Sequence, residues 1–180
     1  MTQFLCGIAT IISLYLLCNI MSAEEPKKPT KVEQALMLLM QGDGGILATI
    51  NGNSPYVSST PFTLNKDGNP IIFISDLARH TAYISKNPNV SIIINKPDKD
   101  GDYFNGSRVT VNGKMVKVTD EEEIKLCAKS YMSRFKEAQA WADFGDFNYY
   151  KLETSEMFMI GGFGEIDYID LKEFKTLLKK

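Results

Sequence analysis

A succession of short apolar segments, most of them separated by turn sequences, places the strongest constraint on how this chain can fold. The segments are GILATIN, YVSSTPFTL, IIFIS, VSIIIN, RVTVNGKMVKVT, YYKLE and EMFMIGGFGEIDYI, and their β-branched and aromatic residues favour strands. Helical spacing is found in Lys31–Gln41, from Leu77 to about Lys86, from Asp120 to about Phe135, and after Leu171. Six or seven strands with helices at the start, middle and end favour an antiparallel barrel with peripheral helices over a parallel α/β sheet.

Two positions inside the predicted strands leave alternatives open. Pro61 has no backbone N–H to donate, so its strand is expected to lie at an edge or to contain a bulge there. The pair Asn112-Gly113 is typical of a hairpin turn, but a single bent strand fits the alternation equally well.

The size and charge of the chain limit its class. It has 180 residues, of which 44% are hydrophobic, and this favours one compact domain, which we assign to residues 32–180. The 20 Lys and Arg residues against 22 Asp and Glu give a net charge of −2. Nucleic acid is therefore not an expected partner, because its binding requires a strongly basic surface.

Residues 1–23 form an apolar segment without charged side chains, and a polar linker, residues 24–31, follows. This pattern predicts an export signal cleaved near Ala23 and a secreted or periplasmic protein. An uncleaved membrane anchor is the alternative, since about 20 apolar residues can cross a bilayer. Only in that case is a membrane an expected partner.

The cysteines and the histidine are too few for a disulfide or a zinc site in the mature chain. Cys6 and Cys18 lie in the apolar leader, which leaves Cys127 and the single histidine, His80. No metal site of clustered side chains is therefore predicted. Cys127 has a helical spacing with Tyr131, which favours a buried apolar role over a nucleophilic one.

The turn between IIFIS and the helix that follows is the first candidate site. Arg79, His80 and Thr81 fall in the first helical turn, just after Ser75. Free backbone N–H groups at a helix start, together with an arginine, can hold an anion such as a phosphate. Against this, Asp76 is the natural N-cap, and its carboxylate would repel an anion. By the residues alone, a capped surface helix with a solvated Arg-His pair is the commoner arrangement.

Three further features of the sequence are weaker candidates, and no catalytic residue is predicted. Ser58 and Ser59 place hydroxyl groups on one predicted strand, where they could contact a ligand or solvent. The glycines of IGGFG allow a tight bend or a close backbone approach. Asn105 opens an Asn-Gly-Ser sequon, which is meaningful only in a secreted protein of a eukaryote.

The chain resembles the pyridoxamine 5′-phosphate oxidase-like split barrels from about Ile46 to Ile169. The similarity is carried by GILATI, SPYVSSTPF, ISDLARHTAYISKNPNVSIII, RVTVNGKMVKV, DFNYYKLE and MIGGFGEI. Two branches are most similar, namely the HugZ-type haem-utilisation proteins and the secreted CREG glycoproteins.

The resemblance implies a six-stranded antiparallel split β-barrel that forms a homodimer, with two equivalent ligand sites at the dimer interface. It also implies FMN or a related flavin as the cofactor and a possible oxidoreductase activity. In flavin-binding relatives the phosphate is held at the strand-to-helix turn and the ring lies over a neighbouring strand. The matching residues here are Arg79, His80, Ser75 and Thr81 at the phosphate, Ser58 and Ser59 under the ring, and, as a weaker match, Arg108.

The sequence departs from the flavin-binding pattern and leaves two further functions open. His80 stands where a phosphate-contacting lysine is usual, and the Ser58-Ser59 pair replaces basic strand residues. A CREG-like secreted protein that acts through a binding partner, without a cofactor, is the alternative. Haem bound through His80 ranks third, because the HugZ branch ligates haem through a histidine in a further C-terminal segment and this chain has a single histidine.

Overall fold

The computed structural model describes residues 27–42 and 44–179. The predicted leader, residues 1–23, and the first part of the linker lie outside these ranges. The helices are α1 (Lys31–Gln41), α2 (Arg79–Lys86), α3 (Glu121–Arg134) and α4 (Leu171–Leu177), and Lys136–Trp141 forms a 3-10 helix. The strands are β1 (Gly44–Asn51), β2 (Ser54–Pro61), β3 (Thr63–Leu64), β4 (Pro70–Ser75), β5 (Asn89–Lys96), β6 (Ser107–Lys117), β7 (Phe147–Gly162) and β8 (Glu165–Tyr168).

All strand pairings are antiparallel, and together they form one 8-stranded sheet in the order β2-β1-β5-β6-β7-β4-β3, with β8 paired to β7. Because β2 and β3 are consecutive parts of one segment, the two ends of the sheet meet and the sheet curls into a split barrel. The interruption falls at Phe62, directly after Pro61, where the sequence predicts an edge or a bulge. The mainly β fold with peripheral helices is confirmed, with β3 and β8 as short additions to six longer strands.

Asn112-Gly113 lies inside one long strand, so the bent-strand alternative is correct and the hairpin is not. The register of β6 against β7 shifts between these two residues. A side chain at Gly113 would bring its Cβ within 2.1 Å of the carbonyl oxygen of Glu153, so only glycine allows this close approach. The partner strand β7 is 16 residues long and unites segments that the sequence predicted as separate.

Alternate residues of β4 belong to two separate hydrophobic clusters. Ile72 and Ile74 point into the barrel, where they join the main core with Leu47 and Leu152. Ile71 and Phe73 face the other way, toward α3. This second cluster, which we call the α3 cluster, consists of Ile71, Phe73, Val118, Cys127, Tyr131, Phe135, Ala138 and Tyr149. The predicted burial of Cys127 is confirmed, with 2% of the residue exposed.

Another part of the sheet leaves an apolar surface uncovered within the described chain. Directly paired residues share a face, and one such row crosses the sheet through Ser59, Ile46, Ile93, Thr110, Phe158 and Tyr168. Large apolar side chains on this surface are well exposed, including Val57 at 61% and Tyr168 at 73%. We call it the open face. Within the described ranges, no helix has both the length and the apolar character needed to cross a membrane.

Candidate functional site

The first turn of α2 has no side-chain cap, although the N–H of Thr81 donates to the carbonyl oxygen of Ala78 at 3.1 Å. The helix begins at Arg79, two residues later than the sequence predicts, and its N-cap is Ala78, which offers no side-chain hydrogen bond. The first turn contains no acidic residue, and the side chain of Arg79 is exposed. The predicted N-cap role of Asp76 is wrong, so the carboxylate does not occupy the N–H groups at this helix start.

Asp76 turns instead toward the neighbouring strands, where sequence reasoning predicted no partners for it. Its carboxylate accepts a hydrogen bond from Asn148 Nδ2 at 2.9 Å and lies 3.5 Å from both Lys117 Nζ and Tyr150 Oη. Burial and the nearby Asp76 carboxylate raise the pKa of Tyr150. These partners come from β6 and β7, far along the chain, and no local pattern could have identified them.

The hydroxyl groups of Ser75 and Thr81 already have partners in the protein. Ser75 Oγ donates to the Asp146 carboxylate and accepts from the backbone N–H of Leu77 at 3.0 Å. Thr81 Oγ1 donates to the carbonyl oxygen of Ser75 at 2.7 Å, and the residue is buried. These bonds fold the turn that leads into α2. A phosphate at this position would receive hydroxyl protons from these residues only if the bonds were rearranged.

His80 is half-buried and makes one hydrogen bond. Its Nδ1 lies 3.2 Å from Ser58 Oγ on β2, whereas its Nε2 is buried without a hydrogen-bond partner. Burial lowers the pKa of His80 below the ordinary 6.5, so the ring is neutral near pH 7 and adds no positive charge for an anion. An edge-to-face contact between Tyr56 and Tyr83, with ring centroids 5.2 Å apart, lies beside this pair.

Ser59 and Arg108 are not part of this cluster within one chain. Successive strand residues point to opposite faces, so Ser59 lies on the open face while Ser58 contacts His80. Arg108 is near the start of β6, at the other end of that strand from the Lys117 that reaches Asp76, and its guanidinium donates to the carbonyl oxygen of Tyr103 at 3.2 Å. Five of the predicted site residues therefore lie together around the first turn of α2: Ser58, Ser75, Arg79, His80 and Thr81.

The IGGFG segment forms a tight turn between β7 and β8. Gly162 and Gly164 have φ angles of 151° and 79°, which favour glycine, and Phe163 between them is 87% exposed. Asn105, the sequon residue, is exposed nearby, and its Nδ2 donates to Asp102 Oδ2 at 2.7 Å. The turn accounts for these glycines without a ligand.

The model of the CREG β-barrel family matches residues 26–176. The chain belongs to this family. Its resemblance to the pyridoxamine 5′-phosphate oxidase-like split barrels is confirmed by the family match and by solved structures of that fold.

Two curated relatives of this CREG-family chain are named as haem oxygenases. It is 28% identical over 142 residues to the chloroplastic heme oxygenase HOZ of Arabidopsis thaliana, a match that covers 77% of this chain and 43% of that protein. It is 27% identical over 140 residues to the heme oxygenase HutZ of Vibrio cholerae, covering 71% of this chain and 79% of HutZ. The chain thus spans less than half the length of the Arabidopsis protein.

Among the solved structures with the same fold, one is named as a heme binding protein and another as a FAD-binding protein. A heme binding protein from Mycobacterium smegmatis superposes with a TM-score of 0.77 at 24% identity, covering 84% of this chain and 62% of that one. A FAD-binding protein from Mesorhizobium loti superposes with a TM-score of 0.60 at 16% identity, covering 73% and 94%. At these identities the likeness concerns the fold.

Proposed function

We propose that this CREG-family protein is an exported homodimer that binds haem at the first turn of α2, with His80 as the iron ligand. The observation that carries the proposal is the geometry of His80: one ring nitrogen lies within hydrogen-bond distance of Ser58 Oγ, and the other is buried without a hydrogen-bond partner. The haem-oxygenase names of the two curated relatives support the choice of ligand. Export rests on the apolar character of residues 1–23.

The residues present fit the chemistry of an iron ligand. A histidine that binds a metal is neutral and usually donates its other ring N–H to a fixed acceptor, which sets its tautomer and orientation. Ser58 Oγ lies 3.2 Å from Nδ1 and can accept its N–H, and in that tautomer Nε2 keeps a free lone pair. Bound haem would supply redox chemistry at its iron, and the protein would supply the ligand and the surroundings.

Access to Nε2 requires a local movement, because that atom is buried. The helix α2 that carries His80 is only 8 residues long and has no side-chain cap. Its last turn is anchored by Ile84 in the main core, whereas the uncapped first turn is the part that can move at the lower free-energy cost. We therefore expect the first turn of α2 to shift against β2 when the ligand enters.

Arg79 supplies the charge that haem also requires. The two propionates of haem are carboxylates, and a guanidinium at a helix start with free N–H groups is suited to bind one of them. Arg79 is exposed and directly precedes His80. Iron and propionate would thus be bound by neighbouring residues of one helical turn.

The open face supports the homodimer. Monomeric proteins rarely leave large contiguous apolar surfaces in water, and on this face Val57, Ile166 and Tyr168 are each more than half exposed. A second copy of the chain would cover them. Ser59 lies on the same surface. A ligand bound between two copies of the chain would therefore lie close to Ser59, although Ser59 is not part of the His80 cluster within one chain.

FMN is the second candidate, and Arg79 is the observation that favours it. The same guanidinium and free N–H groups would hold the phosphate of FMN, and a flavin-binding protein has the same fold. The neutral state of His80 and the internal hydrogen bonds of Ser75 and Thr81 make the turn a poorer phosphate site than the sequence implies.

Absorption spectra of the purified protein, recorded after separate additions of haem and FMN and after gel filtration, test the proposal. We expect retained haem with a Soret band that shifts and weakens in His80→Ala, and that changes less in Ser58→Ala. For either ligand, Arg79→Ala should weaken binding by about 1.5 to 3 kcal/mol. Lys86→Ala, which removes the same charge from the other end of α2, is the matched control.

Three outcomes would change the assignment. A retained flavin that depends on Arg79 but not on His80 would replace haem by FMN. A haem band that His80→Ala leaves unchanged would exclude His80 as the ligand. If neither ligand is retained, the remaining function is that of a secreted CREG-like protein that acts through a binding partner.

A further inference from the structure

A second cleft lies away from α2, between α3 and the turn that joins β3 to β4. Its volume is about 650 Å³, which is within the usual range of roughly 300 to 1,000 Å³ for small-molecule sites. Its walls are formed by β3, residues 65–67, Ile71 and one side of α3. No residue of α2 lines it, so what it binds is independent of the function proposed above.

The floor of this cleft is apolar. It is formed by Leu64, Ile71, Leu126 and Cys127. Ile71 and Cys127 also belong to the α3 cluster, but Leu126 does not, and 57% of it is exposed. Burial and the nearby Glu123 carboxylate raise the pKa of the Cys127 thiol, so this side chain is a neutral part of the apolar floor.

The hydroxyl and amide groups that line the cleft have partners inside the protein. Ser130 Oγ lies 3.2 Å from Thr63 Oγ1 and also 3.2 Å from the carbonyl oxygen of Leu64. Ser133 Oγ donates to the carbonyl oxygen of Ser130 at 2.8 Å. Asn65 Oδ1 accepts from the backbone N–H groups of the β3–β4 turn. These hydroxyl and amide groups therefore have few free hydrogen-bond donors or acceptors for a polar ligand.

The carboxylates on the α3 side are engaged in the same way. Asp120 accepts from the backbone N–H of Glu123 at 2.8 Å. Glu122 pairs with Lys125 at 2.6 Å and Glu123 pairs with Lys151 at 2.5 Å. A charged ligand would have to compete with these pairs, whereas a neutral one would leave them intact.

We infer that this cleft binds a small, uncharged and mainly apolar molecule. Such a ligand would cover Leu126 and exclude water from the floor, and the satisfied polar groups around it would lose nothing. Burial of apolar area would supply the affinity. The charged residues Lys66, Asp67 and Lys129 also line the cleft, but all three are exposed, so their charged groups can stay in water while a hydrophobic molecule occupies the apolar part.

Fluorescence titration with the neutral probe N-phenyl-1-naphthylamine tests this inference on the full chain. We expect saturable binding with one site per chain. Leu126→Glu should weaken it at least tenfold, because a carboxylate would then lie in the apolar wall. Met40→Glu is the matched control: Met40 is also an exposed apolar residue on a helix, at 61%, but outside the cleft.

A second variant keeps the test decisive if Leu126→Glu does not fold. Ser133→Trp fills the cleft from the exposed side of α3 with an apolar group, and it should also abolish the saturable signal while the protein keeps its cooperative thermal transition. Absence of saturable probe binding, or equal binding by Leu126→Glu and Met40→Glu, would overturn the inference. Haem added to the wild-type protein should leave the probe affinity unchanged, since the α2 site is separate.

Discussion

The helices α2 and α3 both follow a long strand, but their first turns are built differently. In α3, Asp120 caps the helix and Glu121, Glu122 and Glu123 place negative charge where the helix dipole favours it. In α2, the N-cap is Ala78 and no acidic residue follows. The start of α3 is thus satisfied by the chain itself, whereas the start of α2 retains its capacity to bind an anion.

The two helices also pack differently. Tyr131 of α3 is 3% exposed and contacts the rings of Phe73, Phe135 and Tyr149. By contrast, α2 contacts β2 through the His80–Ser58 hydrogen bond and the Tyr83–Tyr56 ring contact and places one large apolar side chain, Ile84, in the main core. The comparison indicates that α3 contributes mainly to stability and that α2 is the more easily altered of the two without loss of the fold.

Tyr131→Ala should have the largest effect on stability. Removing this ring leaves a cavity among three aromatic neighbours, and comparable large-to-small core changes cost about 3 to 5 kcal/mol. Urea unfolding monitored by circular dichroism measures the loss. Tyr83→Ala, the matched change on α2, should cost clearly less because Tyr83 is only partly buried. Equal losses would remove the distinction between the helices.

Asp120→Ala should destabilise the protein by about 1 kcal/mol, because the N-cap bond of α3 is lost. The midpoint of urea unfolding gives the value. Asp120→Asn preserves a capping oxygen and should recover most of the stability. A loss that Asn does not recover would indicate that the charge of Asp120, rather than its hydrogen bond to Glu123 N–H, is what matters.

Ala78→Asp would give α2 the kind of cap that α3 has. We expect a gain of about 0.5 to 1 kcal/mol in the free energy of unfolding together with weaker binding of haem or FMN, since the new carboxylate would occupy the free N–H groups and repel an anion. Ala78→Ser adds a capping hydroxyl without charge and separates the two effects. Unchanged ligand affinity in Ala78→Asp would show that the anionic group binds elsewhere.

The pH dependence of stability should carry a small contribution from His80. Its pKa is lowered in the folded protein, so the unfolded chain takes up a proton more readily as the pH falls below about 6.5. The free energy of unfolding should therefore decrease on acidification from that pH and stop decreasing, for this group, below the folded pKa. Urea midpoints at several pH values, compared with those of the non-titrating His80→Gln, isolate the contribution. A wild-type protein that gains stability over His80→Gln on acidification would contradict it.

Much of the fold is readable from local sequence patterns. The bounds of α1 and most of the strand segments follow from spacing over a few residues, and the structure confirms them. The helix α1 begins with a capping box formed by Thr30 and Glu33. The antiparallel split barrel was predicted through the resemblance, but the order of the strands in the sheet was not predicted and comes from the structure. The unity of β7 was missed, because its period-2 alternation is weak around Ser155.

Only part of the candidate site could be predicted, because several of its contacts join residues that are far apart in the sequence. Arg79, His80 and Thr81 are consecutive in the sequence, so their proximity was predicted. The resemblance placed Ser58 under a flavin ring, and its contact with His80 was not predicted. The loss of Asp76 as a cap depends on Lys117, Asn148 and Tyr150, which lie on two strands far along the chain. Tertiary partners thus decided which groups of the turn remain free.

The position of β7 in the sheet has a consequence for synthesis on the ribosome. Both β6 and β4 pair with β7, so each has an unpaired edge until Phe147–Gly162 has emerged. Pairing β4 with β7 also closes a long loop of chain, which slows folding. The nascent chain therefore exposes two strand edges late into translation, and these edges are where binding by chaperones, or aggregation in their absence, should begin.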